Sequence, residues 1–345
     1  MNRMPYIRDF AASLTLGPKT FKRGPALRYV KTAYGGLDFV CGGNSVVFRA
    51  VDSEDRAVAV KCYRDVNTRR REVYEWLESE RTSEWGESGR FFAGGLLLCN
   101  DCEVREVDVL VAPWIEGVTL DRCAAELCAS GDAEGLAALT EEFDRLGAWL
   151  LRQEWAHGDL KPENIIVGDQ GLQLIDFDAA YVPTVTAPRI ETGTAGYSHP
   201  RRTIDMDNRH LDDWAVARIS VALHALVADP ERGVDSVFPW SDEIFVHGGE
   251  PWIRLCELFV SCGDARAVRM CEMLTGGFPE LAFLGEVLAE RRTICSVEGA
   301  IFRGGVGWGV KDSNGTLIEP PVWDEIIHRN SHFYGLLREK MFLIM

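Results

Sequence analysis

Asp159, Lys161, Asn164 and Asp176 have the residue types needed to hold and move a phosphate, and they lie close together in the chain. The first three fall in His157-Gly158-Asp159-Leu160-Lys161-Pro162-Glu163-Asn164, and the fourth in Ile175-Asp176-Phe177-Asp178. Between them run Ile165-Ile166-Val167 and Leu172 to Ile175, each too short for a helix and rich in branched or apolar residues, so each is predicted to be a strand. The intervening Gly168-Asp169-Gln170-Gly171 suits a hairpin turn. A hairpin here brings Asn164 and Asp176 together at one end. An amide oxygen and a carboxylate are hard oxygen ligands suited to Mg²⁺. Asp159 and Lys161 would then stand one loop away from a bound phosphate.

This block resembles the catalytic core of the protein kinase superfamily. The resemblance implies that Asp159 orients a substrate hydroxyl and that Asn164 and Asp176 hold Mg²⁺. It implies that Lys161 steadies charge on the transferred group. His157 would be structural, packed under the loop.

Upstream, Leu37 to Val40 and Gly42-Gly43-Asn44-Ser45-Val46-Val47-Phe48 read as two strands joined by small residues, and Ala57-Val58-Ala59-Val60-Lys61 as a third strand ending in a cation. In the resemblance these are the glycine-rich loop and the strand bearing the phosphate-binding lysine. The three family glycines would fall at Val40, Gly42 and Ser45, so Gly42 alone is retained; Gly43 and Ser45 keep the turn small, so that backbone amides can approach phosphate oxygens. Thr68 to Glu80 is helical by charge and periodicity. The resemblance calls for a helix glutamate paired with Lys61; Glu72 is the expected partner and Glu75 the alternative. Phe91 to Leu98 and Val107 to Val111 read as further strands. The latter runs into Ala112-Pro113-Trp114-Ile115-Glu116-Gly117, similar to the adenine-binding hinge. Pro113 has no N–H, but the hinge would use its carbonyl and the N–H of Ile115. Ala112 would guard the back of the pocket, with Val47, Ala59 and Leu174 or a neighbour as apolar lining.

Downstream of the hinge, Asp121 to Ser130 and Leu136 to Trp155 are predicted helices, the second with core positions Leu139, Phe143, Leu146, Leu150 and Leu151. Residues 179 to 192 suit a loop. Gly193-Thr194-Ala195-Gly196-Tyr197-Ser198-His199-Pro200 resembles the end of a kinase activation segment, which implies that Thr194 bonds to Asp159 and Lys161 and that the loop faces a peptide. Asp212-Asp213-Trp214-Ala215 opens a helix through Val227, with Asp212 anchoring the catalytic loop, capping the helix, or both. Residues 231 to 292 read as further amphipathic helix, with loops around Phe238-Pro239-Trp240 and Gly248-Gly249. In the tail, Gly307-Trp308-Gly309-Val310-Lys311 is echoed by Phe333-Tyr334-Gly335-Leu336-Leu337, and Asn314-Gly315 is a strong turn signal. This looks like a bacterial WG β-hairpin repeat, one copy and a truncated second. So short an array cannot bury its own core and must dock on the large lobe or on a protein partner.

The expected fold is therefore α+β and bilobal: a lead-in at 1–36, a small lobe with an antiparallel sheet at 37–111, a hinge and mainly helical large lobe at 112–295, and a β tail at 296–345. The 345 residues are 46% hydrophobic and 26% charged, a globular mix. The formal net charge of −16 argues against a nucleic-acid partner and an anionic membrane surface. A nucleotide must then be held by local cations and amides. No apolar run approaches a membrane span, and Met1 to Phe10 lacks a signal-peptide core. The ten cysteines show no scaffold pattern, which fits reduced thiols in a cytoplasmic protein; Cys99 and Cys102 form a lone pair that cannot close a zinc site.

The expected activity is ATP- and Mg²⁺-dependent phosphoryl transfer to a serine or threonine of a protein. Gly158 stands where the family has an arginine that receives an activation-loop phosphate, so activity without such phosphorylation is expected. Asp178 stands for the usual glycine, which limits a backbone flip, and Arg201 follows Pro200 where the family has glutamate. His-Gly-Asp and Ile-Asp-Phe-Asp also resemble small-molecule phosphotransferases of the aminoglycoside and choline kinase type. Against that stand Lys161-Pro162, the Gly193 to Tyr197 loop and Asp212-x-Trp214. A non-catalytic scaffold that keeps the fold is the third reading, and the retention of Lys61, Asp159, Lys161, Asn164 and Asp176 stands against it.

Overall fold

The computed structural model describes residues 4–80, 85–86, 88–99, 104–189, 191–234, 238, 250–275, 280–281 and 284–289, and in the tail the strands between 300 and 343. The chain divides into two compact units. The first comprises Met1–Cys123, Gln153–Thr194 and Arg202–Asp212; the second comprises Ala124–Arg152, Ala195–Arg201 and Asp213–Met345. Residues 153–194 thus group with the N-terminal sheet.

The first unit is built on a six-stranded antiparallel sheet. Its strands are β1 (Arg28–Tyr29), β2 (Phe39–Cys41), β3 (Ser45–Val51), β4 (Ala57–Tyr63), β5 (Arg90–Cys99) and β6 (Val104–Pro113). The period-two pattern sorts its faces. Val58, Val60 and Cys62 of β4 enter a core with Val46, Phe48 and Ala50 of β3 and Val107 and Val109 of β6. Ala57, Ala59, Lys61 and Tyr63 take the other face. The lead-in supplies helix α1 (Ile7–Thr15), whose Phe10 and Leu14 cover the first face. These two sit one turn apart, so one side of a short helix buries both. Helix α2 (Thr68–Glu80) spans the predicted range and buries Val73, Tyr74 and Leu77. A second, three-stranded sheet contains β7 (Val118–Thr119), β8 (Ile165–Gly168) and β9 (Gly171–Leu174). β8 and β9 form the expected hairpin, closed at the Gly168–Gly171 pair.

Helix α3 (Leu120–Ser130) passes from the first unit into the second. The second unit contains α4 (Ala133–Leu150), α5 (Asp213–Ala228), α6 (Glu250–Cys262), α7 (Ala265–Thr275) and α8 (Leu284–Ala289). α4 starts and stops earlier than predicted. Asp132 caps it by accepting the Gly135 N–H at 2.8 Å. Next to it, buried α5 places His224 between Asp144 at 3.0 Å and Asp264 at 2.5 Å, and Arg266 reaches Asp144 at 2.5 Å. The tail forms two three-stranded antiparallel sheets: β10 (Ala300–Arg303), β11 (Trp308–Lys311) and β12 (Leu317–Trp323), then β13 (Glu325–Arg329), β14 (His332–Leu337) and β15 (Lys340–Leu343). Trp308-Gly309 lies on the middle strand of one and Tyr334-Gly335 on the middle strand of the other. Gly307, the Asn314-Gly315 turn, Cys102 and the Gly248-Gly249 loop lie outside the described residues. Among the described residues no helix is long and apolar enough to cross a membrane.

Candidate active site

All the polar residues singled out around His157–Asn164 meet within the first unit. The loop between Trp155 and β8 is tied down by a buried carboxylate. Asp212 accepts the backbone N–H of His157 at 2.5 Å and of Gly158 at 2.8 Å. Burial raises the pKa of Asp212, against the pull of His157 and the two amides. The buried His157 ring sets Nε2 2.9 Å from the Ile175 carbonyl and packs on Phe177, with ring centres 5.2 Å apart. It holds the loop to the segment carrying Asp176.

From this base Asp159 projects toward Thr194. Its Oδ1 accepts the Thr194 N–H at 2.7 Å and hydroxyl at 2.8 Å. Lys161 Nζ donates to Thr194 Oγ1 at 3.0 Å and lies 3.3 Å from Asp159 Oδ2. Asn164 Nδ2 donates to the Asp159 carbonyl at 2.9 Å, which orients its amide, and the Ile175 N–H donates to the Asn164 carbonyl at 3.0 Å. These bonds fix one carboxylate, one ammonium and one amide at the entrance to the β8–β9 hairpin.

Gly158 has φ of +79°, a region costly for residues with a Cβ. A Cβ there would come 2.1 Å from the Ala179 carbonyl oxygen. No side chain fits, so the arginine that the kinase resemblance calls for is excluded. Other groups bind the following segment instead. Arg189 donates to the Ala179 carbonyl at 2.8 Å. Asp207 joins Arg189 at 3.3 Å to Arg69 at 2.9 Å, and Arg202 donates to the Gly158 carbonyl at 3.0 Å. Burial lowers the pKa of both Arg189 and Arg202; for Arg202 it falls to about 10, with Arg189 adding to the effect.

Lys61 departs from expectation. Its ammonium lies 2.7 Å from Asp176 Oδ1 and 2.9 Å from Asp178 Oδ2. Glu72, the expected partner, is exposed on the outer side of α2, and Glu75 pairs with Arg71 at 2.7 Å in the solvent. The register of α2 is the cause. The residues it turns inward are Arg70, Val73, Tyr74 and Leu77, three and four apart, so neither glutamate reaches the sheet. Burial works against the Lys61 ammonium, but Asp178 and Asp176 outweigh it and raise its pKa. Packed protein likewise opposes ionisation of Asp176, and Lys61 outweighs it and lowers that pKa.

Asp176 has left-handed backbone (φ 65°) and keeps 42% of its side-chain surface open. Asp176 and Asn164 are the residues here that could hold a cation. No group of three or more His, Cys, Asp or Glu among the described residues could hold a metal. Two protein oxygens suit Mg²⁺, which commonly keeps waters and takes its other ligands from phosphates. In the glycine-rich segment Val40 pairs with Val47 across the β2–β3 turn. The Gly42 N–H is spent on the Ser45 carbonyl at 3.0 Å, Gly43 is open, and Ser45 is 8% exposed, so its hydroxyl is not offered outward. At the hinge, Ala59 pairs with Ala112 and Val58 with Pro113, and Ile115 stays partly exposed. Gly89 lies close against Ala112: a Cβ on Gly89 would stand 2.6 Å from that of Ala112.

Sequence reasoning passed over Arg70, Tyr63 and Tyr74, which meet Asp178. Tyr63 shares a strand face with Lys61 two residues away, and Arg70 and Tyr74 share a helix face. Those spacings were the available signal. Asp207, Arg69, Arg189 and Arg202 left none, since their contacts join distant parts of the chain.

No family model matches the chain. Over 167 residues, 46% of its length, it is 28% identical to a probable serine/threonine-protein kinase, pknA2, of Bifidobacterium longum (strain NCC 2705); the match covers 22% of that protein. This distant similarity supports a place in the kinase superfamily and, with the mixed helix-and-strand architecture, a kinase-like phosphotransferase.

Proposed function

We propose that the chain transfers the γ-phosphoryl group of ATP to a serine or threonine hydroxyl of a protein. The observation that carries this reading is the bonded set Asp159, Thr194 and Lys161 in the same compact unit as Lys61, Asn164 and Asp176. Asp159 takes the proton of the acceptor hydroxyl as its oxygen bonds to phosphorus and ADP leaves. Lys161 stabilises charge on the group in transit. Thr194 fixes both side chains. Lys61 orients the phosphates from the opposite side. Val47, Ala59 and Ala112 line the adenine site, with the Pro113 carbonyl and the Ile115 N–H as its polar edge. Asn164 and Asp176 would hold Mg²⁺, which neutralises phosphate charge when bound. Catalysis on this reading is positioning and electrostatics.

A protein acceptor is favoured by Lys161-Pro162 and by the Thr194 loop, and the absence of a side chain at Gly158 fits activity without a phosphorylation switch. The two tail sheets would dock on the large lobe or on a protein partner.

The test is incubation of the pure chain, and of Asp159→Asn, with γ-labelled ATP, Mg²⁺, a cell lysate and a panel of small alcohols. Label on protein that is lost in the variant supports the proposal. Label on small molecules alone indicates the aminoglycoside-type reaction, and no label at all indicates a scaffold.

A further inference from the structure

Lys61 sits between two carboxylates with different obligations. Asp176 is the open one, with 42% of its side chain exposed, and it is the residue available to a cation. Asp178 is enclosed. Its Oδ1 accepts the hydroxyls of Tyr63 and Tyr74, each at 2.8 Å. Its Oδ2 faces Lys61 at 2.9 Å and Arg70 Nε at 3.4 Å. The Arg70 guanidinium in turn lies 3.9 Å above the Tyr63 ring, and the Tyr74 ring stacks on Phe91 with centres 5.9 Å apart. Four side chains from β4 and α2 therefore fix a carboxylate on the segment after β9. A carboxylate supplied with so many donors has its orientation set before any ligand arrives.

We propose that Asp178 is the positioning residue for Lys61, the role expected of Glu72; this deepens, and rests on, the phosphotransfer reading. When Asp176 turns to a cation, Asp178 is the carboxylate left to hold the ammonium. The polarity across α2 is then inverted. The helix presents a cation and a phenol, Arg70 and Tyr74, and the loop presents the acid. α2 still senses the site, through its bonds to Asp178 and not through a direct ion pair with Lys61. A glycine at 178 would leave Arg70 buried with Asp65 as its remaining carboxylate, at 3.3 Å.

The test uses the full chain and a probe that reads Lys61 without turnover: the acyl phosphate of ADP with Mg²⁺, which acylates an amine lying at the phosphates, with the site of acylation read by mass spectrometry. Mg·ADP affinity is measured by calorimetry alongside kcat. Asp178→Asn is expected to lower Lys61 acylation and kcat about ten-fold or more while Mg·ADP affinity changes by less than about three-fold. Asp178→Glu, which keeps the acid, should recover most of both. Glu72→Gln should acylate as the wild type does. Tyr63→Phe with Tyr74→Phe keeps both rings and removes two donors to Asp178, and should give a smaller loss in the same direction. That variant decides the matter in the same terms if Asp178→Asn does not fold. Wild-type acylation and kcat in Asp178→Asn, or loss of acylation in Glu72→Gln, overturns the assignment of Asp178 alone. A wild-type chain that neither binds Mg·ADP nor is acylated at Lys61 overturns the phosphotransfer reading, and this inference with it.

Discussion

Replacing Gly158 by alanine should loosen the loop before β8 by about 2–4 kcal/mol. Two effects add. The left-handed φ of +79° costs an L-residue about 1 kcal/mol or more. The new Cβ would stand 2.1 Å from the Ala179 carbonyl oxygen and 2.9 Å from its carbon, and such overpacking costs about 1–3 kcal/mol. Neither partner is free to retreat. Ala179 is held by Arg189 through its carbonyl. Gly158 is held on both sides, by Asp212 at its N–H and Arg202 at its carbonyl. The chain has two compact units and need not unfold in one step, so a local readout is the right assay. Hydrogen exchange of peptides covering residues 153–164 should accelerate about 30- to 1,000-fold, at a factor of ten per 1.4 kcal/mol. Gly158→Arg, the residue the kinase resemblance calls for, should do at least as much. Acceleration of less than about three-fold in Gly158→Ala would refute the claim that backbone geometry excludes a side chain here.

Asp207→Asn removes the carboxylate that joins the buried Arg69 and Arg189, and should cost about 2–4 kcal/mol, seen as faster proteolysis between residues 181 and 193. Replacing Thr184, Thr186 and Thr192 together by alanine should leave phosphotransfer within about two-fold of wild type, since Asp207 already supplies the charge that joins these segments; a loss restored by acidic replacements would contradict this. Thr194→Val breaks the hydroxyl bridge between Asp159 and Lys161, and should lower kcat by about ten-fold with little change in the KM for ATP. His224 has its pKa raised to about 9: burial opposes the charge, but the bonds to Asp144 and Asp264 outweigh it. A raised folded-state value means that its contribution, about 3 kcal/mol at most, is complete below about pH 6.5 and fades as pH rises through about 9. His224→Gln should therefore lower the melting temperature more at pH 6 than at pH 10.

The sheet was legible because its two faces differ in chemistry. Val58, Val60 and Cys62 alternate with Ala57, Ala59 and Lys61, and Gly168 to Gly171 punctuates the hairpin that carries Asn164 and Asp176. The span of α2 was legible too, and Val73, Tyr74 and Leu77 mark its inward stripe. Its first turn, Arg69-Arg70-Arg71-Glu72, is wholly charged, and nothing in it says that Arg70 goes inside to meet Asp65 and Asp178. A rule that seeks a glutamate thus chose Glu72 on the wrong side of the helix. Helix α1 escaped notice because its apolar stripe is two turns long. The early end of α4 escaped because periodicity continues past the point where hydrogen bonding stops. The oddity at Gly158 was visible in the sequence, but its cause, the carbonyl of Ala179, lies across the fold.

Asp159 is the residue on which the proposed phosphoryl transfer turns. The most direct measurement is the rate at which the pure chain moves the γ-phosphoryl group of ATP to protein at saturating Mg·ATP, compared with Asp159→Asn at equal Mg·ADP affinity. A fall of about 100-fold or more is expected in the variant, with nucleotide binding intact. Equal rates in the two proteins would contradict this role of Asp159.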